Sequence, residues 1–334
     1  MLKKPFIFVV GTIILALGLT YYFGPRPEKP DLQKEYSFDL PNELGQLEAK
    51  ITQEEQNIDG IKKDNEAEFV WADSIPRVTE YSIVYIHGFS ASHEEGAPVH
   101  ENLAKKYHAN LFKARMAEHG TDRGDETMAE LTTDRYIETA ERALAIGRKI
   151  GKKVIIVATS AGGALSLHLA SKHDDIEAMV LYSPCIQIYD ENAALLDDPW
   201  GLKLGQMVQG KPFNDITPAN ENQPLYWTMH YRLEALVALQ NLLTHTMNEE
   251  TFSKVTCPVF VGYYYKDEEN QDKVVSVPAI LNMYDQLGSE HKVKKAFPNA
   301  ANHVLASWVL SSDVAGVQME TEKFLDEIVD KTTL

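Results

Sequence analysis

The chain is poor in cysteine, with two in 334 residues, Cys185 and Cys257. Two thiols leave room for one bridge at most. They make no disulfide framework, and neither stands in a metal-ligand spacing, so small stapled domains and zinc modules are set aside. Positive charge is also scarce. Lys and Arg number 32 against 49 Asp and Glu, a net charge of −17, which argues against nucleic acid and against an anionic membrane surface as partner. Internal repeats and low-complexity tracts are lacking, which sets aside repeat architectures. What remains is ordinary globular composition, 44% hydrophobic and 24% charged, on a chain long enough for one large domain or two small ones.

One long charge-free run is present, from Pro5 to Phe23, preceded by Lys3 and Lys4. A run of this length is expected to cross a bilayer as a helix, and Tyr21, Tyr22 and Phe23 suit an interfacial belt. Residues 1–24 are therefore expected to be a single-pass membrane anchor, with the rest of the chain extracytoplasmic. The alternative is a cleaved signal and a secreted protein, since Ala16-Leu17-Gly18 passes as a cleavage site. Residues 25–65 read as a proline-stiffened linker and a polar extension with a short helix.

From residue 66 the pattern becomes regular. Glu68–Trp71, Tyr81–Ile86, Asn110–Arg115, Val154–Thr159 and Ala178–Tyr182 read as strands, with helical stretches between most of them. Such alternation predicts a mostly parallel central sheet with helices on both faces. The pattern breaks over 186–254, an insertion expected to form a helical cap. It resumes over 255–334 with strands at 259–265 and 292–297 and a closing helix.

The chemistry-bearing stretch is Val154-Ile155-Ile156-Val157-Ala158-Thr159-Ser160-Ala161-Gly162-Gly163. A buried strand runs into small-x-Ser-x-Gly and then a helix, the pattern of a nucleophile elbow. So tight a turn needs small residues two before and two after the serine, here Ala158 and Gly162. His87-Gly88-Phe89 follows an earlier strand. There Gly88 is expected to supply a backbone conformation closed to other residues, and the amides of Phe89 and Ala161 can face a developing oxyanion. His87 ends the wrong strand to serve as base and is expected to hold the loop. His303, alone among eleven histidines, follows the last strand and is the candidate base for Ser160. Asp267, nearest a strand end, and Asp272 are both candidates for the acid.

With these residues in order the chain resembles the α/β-hydrolase superfamily, in particular its monoacylglycerol lipase and serine aminopeptidase-type group, over roughly residues 66–334. Arg115-Met116-Ala117-Glu118-His119-Gly120 resembles that group's Arg-x-x-Gly-His-Gly loop, with Glu118 replacing a glycine. Asp272-Lys273-Val274-Val275 matches the Asp-x-Val-Val around the family's acid, which favours Asp272 and leaves Asp267 as the alternative. The resemblance implies hydrolysis of a small-molecule or lipid ester, such as a monoacylglycerol, with neither cofactor nor metal. Two other readings stay open. One is an exopeptidase using a cap carboxylate among Asp190, Glu191, Asp197, Asp198 and Glu234 to hold the substrate amine. The other is a non-catalytic tethered binding protein. Oligomeric state is not legible.

Overall fold

The computed structural model describes residues 4–329. In chain order its elements are α1 (Lys4–Tyr22), α2 (Leu44–Gln56), β1 (Glu68–Val70), β2 (Thr79–Ile86), α3 (Val99–Lys106), β3 (Asn110–Lys113), α4 (Thr133–Ile150), β4 (Gly151–Thr159), α5 (Ala161–Lys172) and β5 (Ile176–Tyr182). There follow α6 (Gly201–Gln209), β6 (Phe213–Asp215), α7 (Gln223–Tyr226), β7 (His230–Arg232), α8 (Leu233–Thr246) and α9 (Glu249–Ser253). The chain closes with β8 (Val259–Tyr263), α10 (Val277–Gln286), β9 (Lys292–Ala296) and α11 (Val314–Leu325).

Seven strands form one sheet in the order β1-β3-β2-β4-β5-β8-β9, parallel except where β1 meets β3. The two-residue period of a strand divides the core between the faces. In β4, Val154, Ile156 and Ala158 enter one hydrophobic cluster with α4, α5 and α8, while Ile155 and Val157 enter another with α3 and α11. Both faces are dry, which is why β4 reads as an unbroken apolar run. α4 is started by Thr132, whose hydroxyl accepts from the Arg135 amide at 3.3 Å, and carries Arg148 and Lys149 in its last turn, both favourable to its dipole. β9 is one edge of the sheet. Lys292, Lys294 and Lys295 lie along it, a charge pattern that discourages pairing with a second chain.

β2 has β3 on one side and β4 on the other. The strand order reverses there, and the loops leaving β2 and β4 open a crevice at the carboxyl end of the sheet, where open parallel sheets hold their ligands.

The structure corrects the reading of residues 1–24. α1 forms, but among the described residues no helix is long and apolar enough to cross a membrane. Nineteen residues rise about 28 Å against a hydrocarbon core of ~30 Å, and the run contains Gly11, Thr12, Gly18 and Thr20. The transmembrane part of the expected fold, the anchored localisation and the membrane as partner fall together. Lys3, part of that argument, lies outside the described residues, as do 330–334.

Candidate active site

Ser160 stands between β4 and α5 with φ 54° and ψ −118°. A non-glycine residue in such a conformation is strained and persists only where its surroundings hold it. Here the Ser160 amide donates to the Tyr182 carbonyl at 2.9 Å, and its carbonyl accepts from the amides of Gly163 and Cys185, both at 2.9 Å. A β-carbon at Gly162 would lie 2.1 Å from the Ile86 carbonyl oxygen, so the elbow closes only over a glycine. Ala158 is fully buried and fits without a glycine's freedom.

His303 follows β9 and Asp272 follows β8. The His303 Nδ1–Asp272 Oδ2 distance is 2.6 Å, and the Asp272 side chain is wholly inaccessible. Asp272 Oδ1 accepts from the amides of Val274 at 2.8 Å and Val275 at 3.1 Å. Burial alone would raise the Asp272 pKa, but the imidazole's charge, its hydrogen bond and the two amides leave it below the ordinary carboxylate value. Burial likewise opposes charge on His303. The Asp272 charge and hydrogen bond, helped by Glu95, more than offset this and raise the pKa. The Ser183 hydroxyl donates to the His303 carbonyl at 2.8 Å, so β5 steadies both the serine turn and the histidine loop.

Asp267 is elsewhere. It lies in an exposed turn, where its Oδ1 accepts from the amides of Glu269 at 3.1 Å and Asn270 at 2.8 Å. Tyr265 bridges back to Gln271, and the Asp272 amide donates to the Tyr264 carbonyl at 3.1 Å. The chain makes a short excursion and returns, so the residue beyond it, not the one nearest in sequence, reaches the end of the sheet.

His87 is fully buried. Its Nε2 accepts from the Met116 amide at 3.0 Å, so Nδ1 carries the proton and donates to the Gly88 carbonyl at 2.8 Å. Burial holds its pKa well below the ordinary value, and it serves to tie two loops together. Gly88 has no positive φ, contrary to expectation. What it requires is space, since an added β-carbon would lie 2.9 Å from both Ser160 Cβ and Glu95 Oε1. The Phe89 ring packs edge-on against His119 and Tyr231, with centroids at 5.6 and 5.3 Å. The Phe89 amide enters no backbone hydrogen bond among the described residues. Ala161 opens α5, where the first amides have no partner within the helix.

Glu118, which stands where the resembling loop has glycine, adopts φ 65°, as a glycine would. Its carboxylate holds Arg123 and, at 2.8 Å, Arg135. The loop keeps the glycine's shape and fixes the strained residue from outside.

Ser160, His303 and Phe89 line one cavity of about 380 Å³, walled by Ile188, Ile216, Trp227, Tyr231, Leu236, Leu239, Val274 and Leu310. Most of this wall comes from the segment between β5 and β8. Cys185, a free thiol, also lines it, and burial followed by the Asp272 charge pushes its pKa up to about 12. None of the five cap carboxylates lines this cavity. Asp197 accepts from Asn241 at 2.7 Å, Glu234 binds Arg232 at 2.6 Å, and Asp190 caps its own turn. The carboxyl that does face the cavity, Glu95, was missed by sequence reasoning. Two adjacent acids a few residues past His87-Gly88, bounded by Ser92 and Gly96, were the available signal. Among the described residues no cluster suited to a metal ion occurs.

Several solved structures share this fold. A metagenome-derived lipolytic enzyme superposes with a TM-score of 0.64 at 17% identity, covering 80% of this chain and 99% of its own. The ferulic acid complex of Est1E from Butyrivibrio proteoclasticus gives 0.56 at 18%, covering 79% and 95%. A soluble variant of the monoglyceride lipase of Saccharomyces cerevisiae, bound to a substrate analogue, gives 0.53 at 15%, covering 78% and 91%. At these identities the likeness is one of fold. A comparison with curated proteins finds no match. The family model for the alpha/beta hydrolase fold matches residues 81–268, more than half of the chain, and on that span, laid over this strand order, the chain belongs to the alpha/beta hydrolase fold family.

Proposed function

We propose that this protein hydrolyses carboxylic esters through an acyl-enzyme on Ser160. The observation that carries the reading is the 2.6 Å contact between His303 and the sequestered Asp272, in a cavity shared with a serine at a strained elbow. In this reading His303 Nε2 takes the Ser160 proton as Oγ attacks the acyl carbon, and Asp272 stabilises the imidazolium. The amides of Phe89 and Ala161 receive the oxyanion, each worth on the order of 3 kcal/mol of barrier. His303 returns the proton to the departing alcohol, then activates the water that releases the acid.

The apolar wall supports a medium-chain acyl ester, a monoacylglycerol among them, and the segment between β5 and β8 acts as the cap that encloses the chain. The lipase and esterase names of the fold relatives agree with this choice. The exopeptidase reading lacks a carboxylate from the cap, since none of the five lines the cavity. The test is hydrolysis of p-nitrophenyl esters of increasing chain length by the full chain, with Ser160→Ala as control. Turnover by the wild type alone, peaking at medium length, is the expected result. Equal turnover by both proteins, or by neither, overturns the reading.

A further inference from the structure

Beside Ser160 lies a carboxyl that the reaction above does not use. Glu95, in a short 3₁₀ turn (His93–Gly96) after the Phe89 loop, is 2% exposed and lines the cavity with Ser160 and His303. Its Oε2 accepts from the Gly88 amide at 2.5 Å and from the Tyr85 hydroxyl at 3.4 Å. Its Oε1 enters no hydrogen bond among the described residues. Oε1 and Ser160 Cβ lie 2.9 Å from one point above Gly88, so carboxyl and nucleophile are neighbours across that glycine. Tyr85 in turn shares a hydrogen bond of 3.0 Å with Thr159, the residue before Ser160. One carboxyl thus reaches the backbone before the oxyanion residue directly, and the side chain of the residue before the nucleophile through a single tyrosine.

We propose that Glu95 is a positioning residue of this site, holding the Gly88–Phe89 turn that aims the oxyanion amide and coupling its own charge to that of His303 across the cavity. The inference rests on the ester-hydrolase reading of Ser160 and His303.

The groups facing Glu95 make the coupling selective. On its own turn His93 is held well below the ordinary imidazole value, by burial first and then by Lys113. On α3 His100, edge-on to Tyr85 at 4.7 Å, is lowered by burial to about 4. At the end of β2 His87 is lowered by burial, and Tyr85 itself is raised by burial and by Glu95. Tyr136 of α4 is raised in the same way. Lys113 is committed to Glu68 and Glu101 at 2.7 and 2.9 Å. None of these changes charge near neutrality. Burial lifts Glu95 to about 7, moderated by the Gly88 amide and His303, while Asp272 and Glu95 both favour charge on His303. The two groups face one cavity and interact, so the pH profile belongs to the pair. Ionised Glu95 favours the imidazolium and so delays the free base to higher pH.

The test is the rate at which a fluorophosphonate probe labels Ser160 in the full chain, from about pH 5 to 9, in the wild type, Glu95→Gln and Glu95→Ala. Labelling needs nucleophile, base and oxyanion hole but no assumption about the ester. In Glu95→Gln the amide oxygen still accepts from Gly88 but the charge is gone. Its acidic limb is expected to move to lower pH by roughly half a unit or more, and its plateau rate to exceed that of Glu95→Ala. In Glu95→Ala the turn is unheld, and the plateau is expected to fall about 10- to 100-fold. A Glu95→Gln limb that coincides with the wild type overturns the coupling, and a wild-type plateau in Glu95→Ala overturns the positioning. If Glu95→Ala fails to fold by circular dichroism, the Glu95→Gln profile decides. A wild-type protein in which Ser160 is not labelled removes the hydrolase reading itself, an outcome separate from those that concern Glu95.

Discussion

The larger of two cavities, about 570 Å³, is lined by Arg115, Arg123, Arg135 and Arg142, whereas the 380 Å³ cavity holds Ser160, His303 and an apolar wall. In the larger one each guanidinium already has a carboxylate. Arg115 binds Glu55 at 2.6 Å, Arg123 and Arg135 share Glu118, and Arg142 binds Glu54. Its charges face each other. In the smaller one Ser160, His303 and Phe89 face the same space. Size does not mark a functional site, but reactive groups held in strained or desolvated states without a partner in the protein do.

The sharpest way to break this contrast is Ser160→Ala, which is expected to lower kcat on a medium-chain ester by roughly 10⁴-fold or more, while Arg135→Ala in the larger cavity leaves kcat/KM within about threefold. Equal losses would mean that the wrong cavity has been chosen. Next comes the acid. Asp272→Asn is expected to lower kcat about 10³-fold, and Asp267→Asn, in its exposed turn, to stay within about twofold, as steady-state kinetics on the same ester would show. A smaller effect separates the walls. Leu239→Trp is expected to fill the apolar cavity and lower kcat/KM about tenfold on the longest accepted acyl chain, with little change for acetate. Glu118→Ala should leave kinetics nearly unchanged and cost about 1–3 kcal/mol in urea unfolding, since two arginines lose their shared partner at a nearly buried site.

The smallest effect concerns pH. Catalysis needs His303 neutral, and its pKa is raised, so the acidic limb of kcat/KM is expected above about 6.5. Asp272→Asn should move the residual limb downward. For stability the signs are opposite within the pair. Asp272, lowered, stabilises the fold above the unfolded value of about 4 and loses that effect as pH falls through its folded pKa. His303, raised, stabilises below about 6.5 and loses that effect as pH rises through its folded pKa. The pair therefore contributes most between those two values. Urea midpoints of the wild type and Asp272→Asn, measured across pH, would read the window directly.

How much of this is legible in a sequence depends on distance along the chain. The mostly parallel sheet and the place of Ser160 follow from local signals, namely strand and helix patterns in alternation, an unbroken apolar run, a small-x-Ser-x-Gly turn and a helix directly after it. The pairing of His303 with residue 272 rather than 267 depends on a seven-residue excursion closed by the Tyr265–Gln271 bridge, which counting from the strand end misses and only the family pattern suggested. Glu95 was missed because the pair of acids past His87-Gly88 does not say which of the two is buried. Glu94 beside it looks the same and instead binds the Trp308 indole at 2.6 Å, near the surface. α1 was misread because a charge-free run was equated with a membrane span.

His303 hangs from β9, and β9 is bonded to the sheet along one side only. Edge elements open with less free energy than the whole fold. The strand that leads to His303 is therefore an edge element, and the His303 loop is tied back to the body by the Asp272 carboxylate at 2.6 Å and the Ser183 hydroxyl at 2.8 Å. Activity in this protein should then behave as a fuse. Under mild denaturant or warming it is expected to fail, and to return on dilution, while the other six strands and the helical signal remain intact.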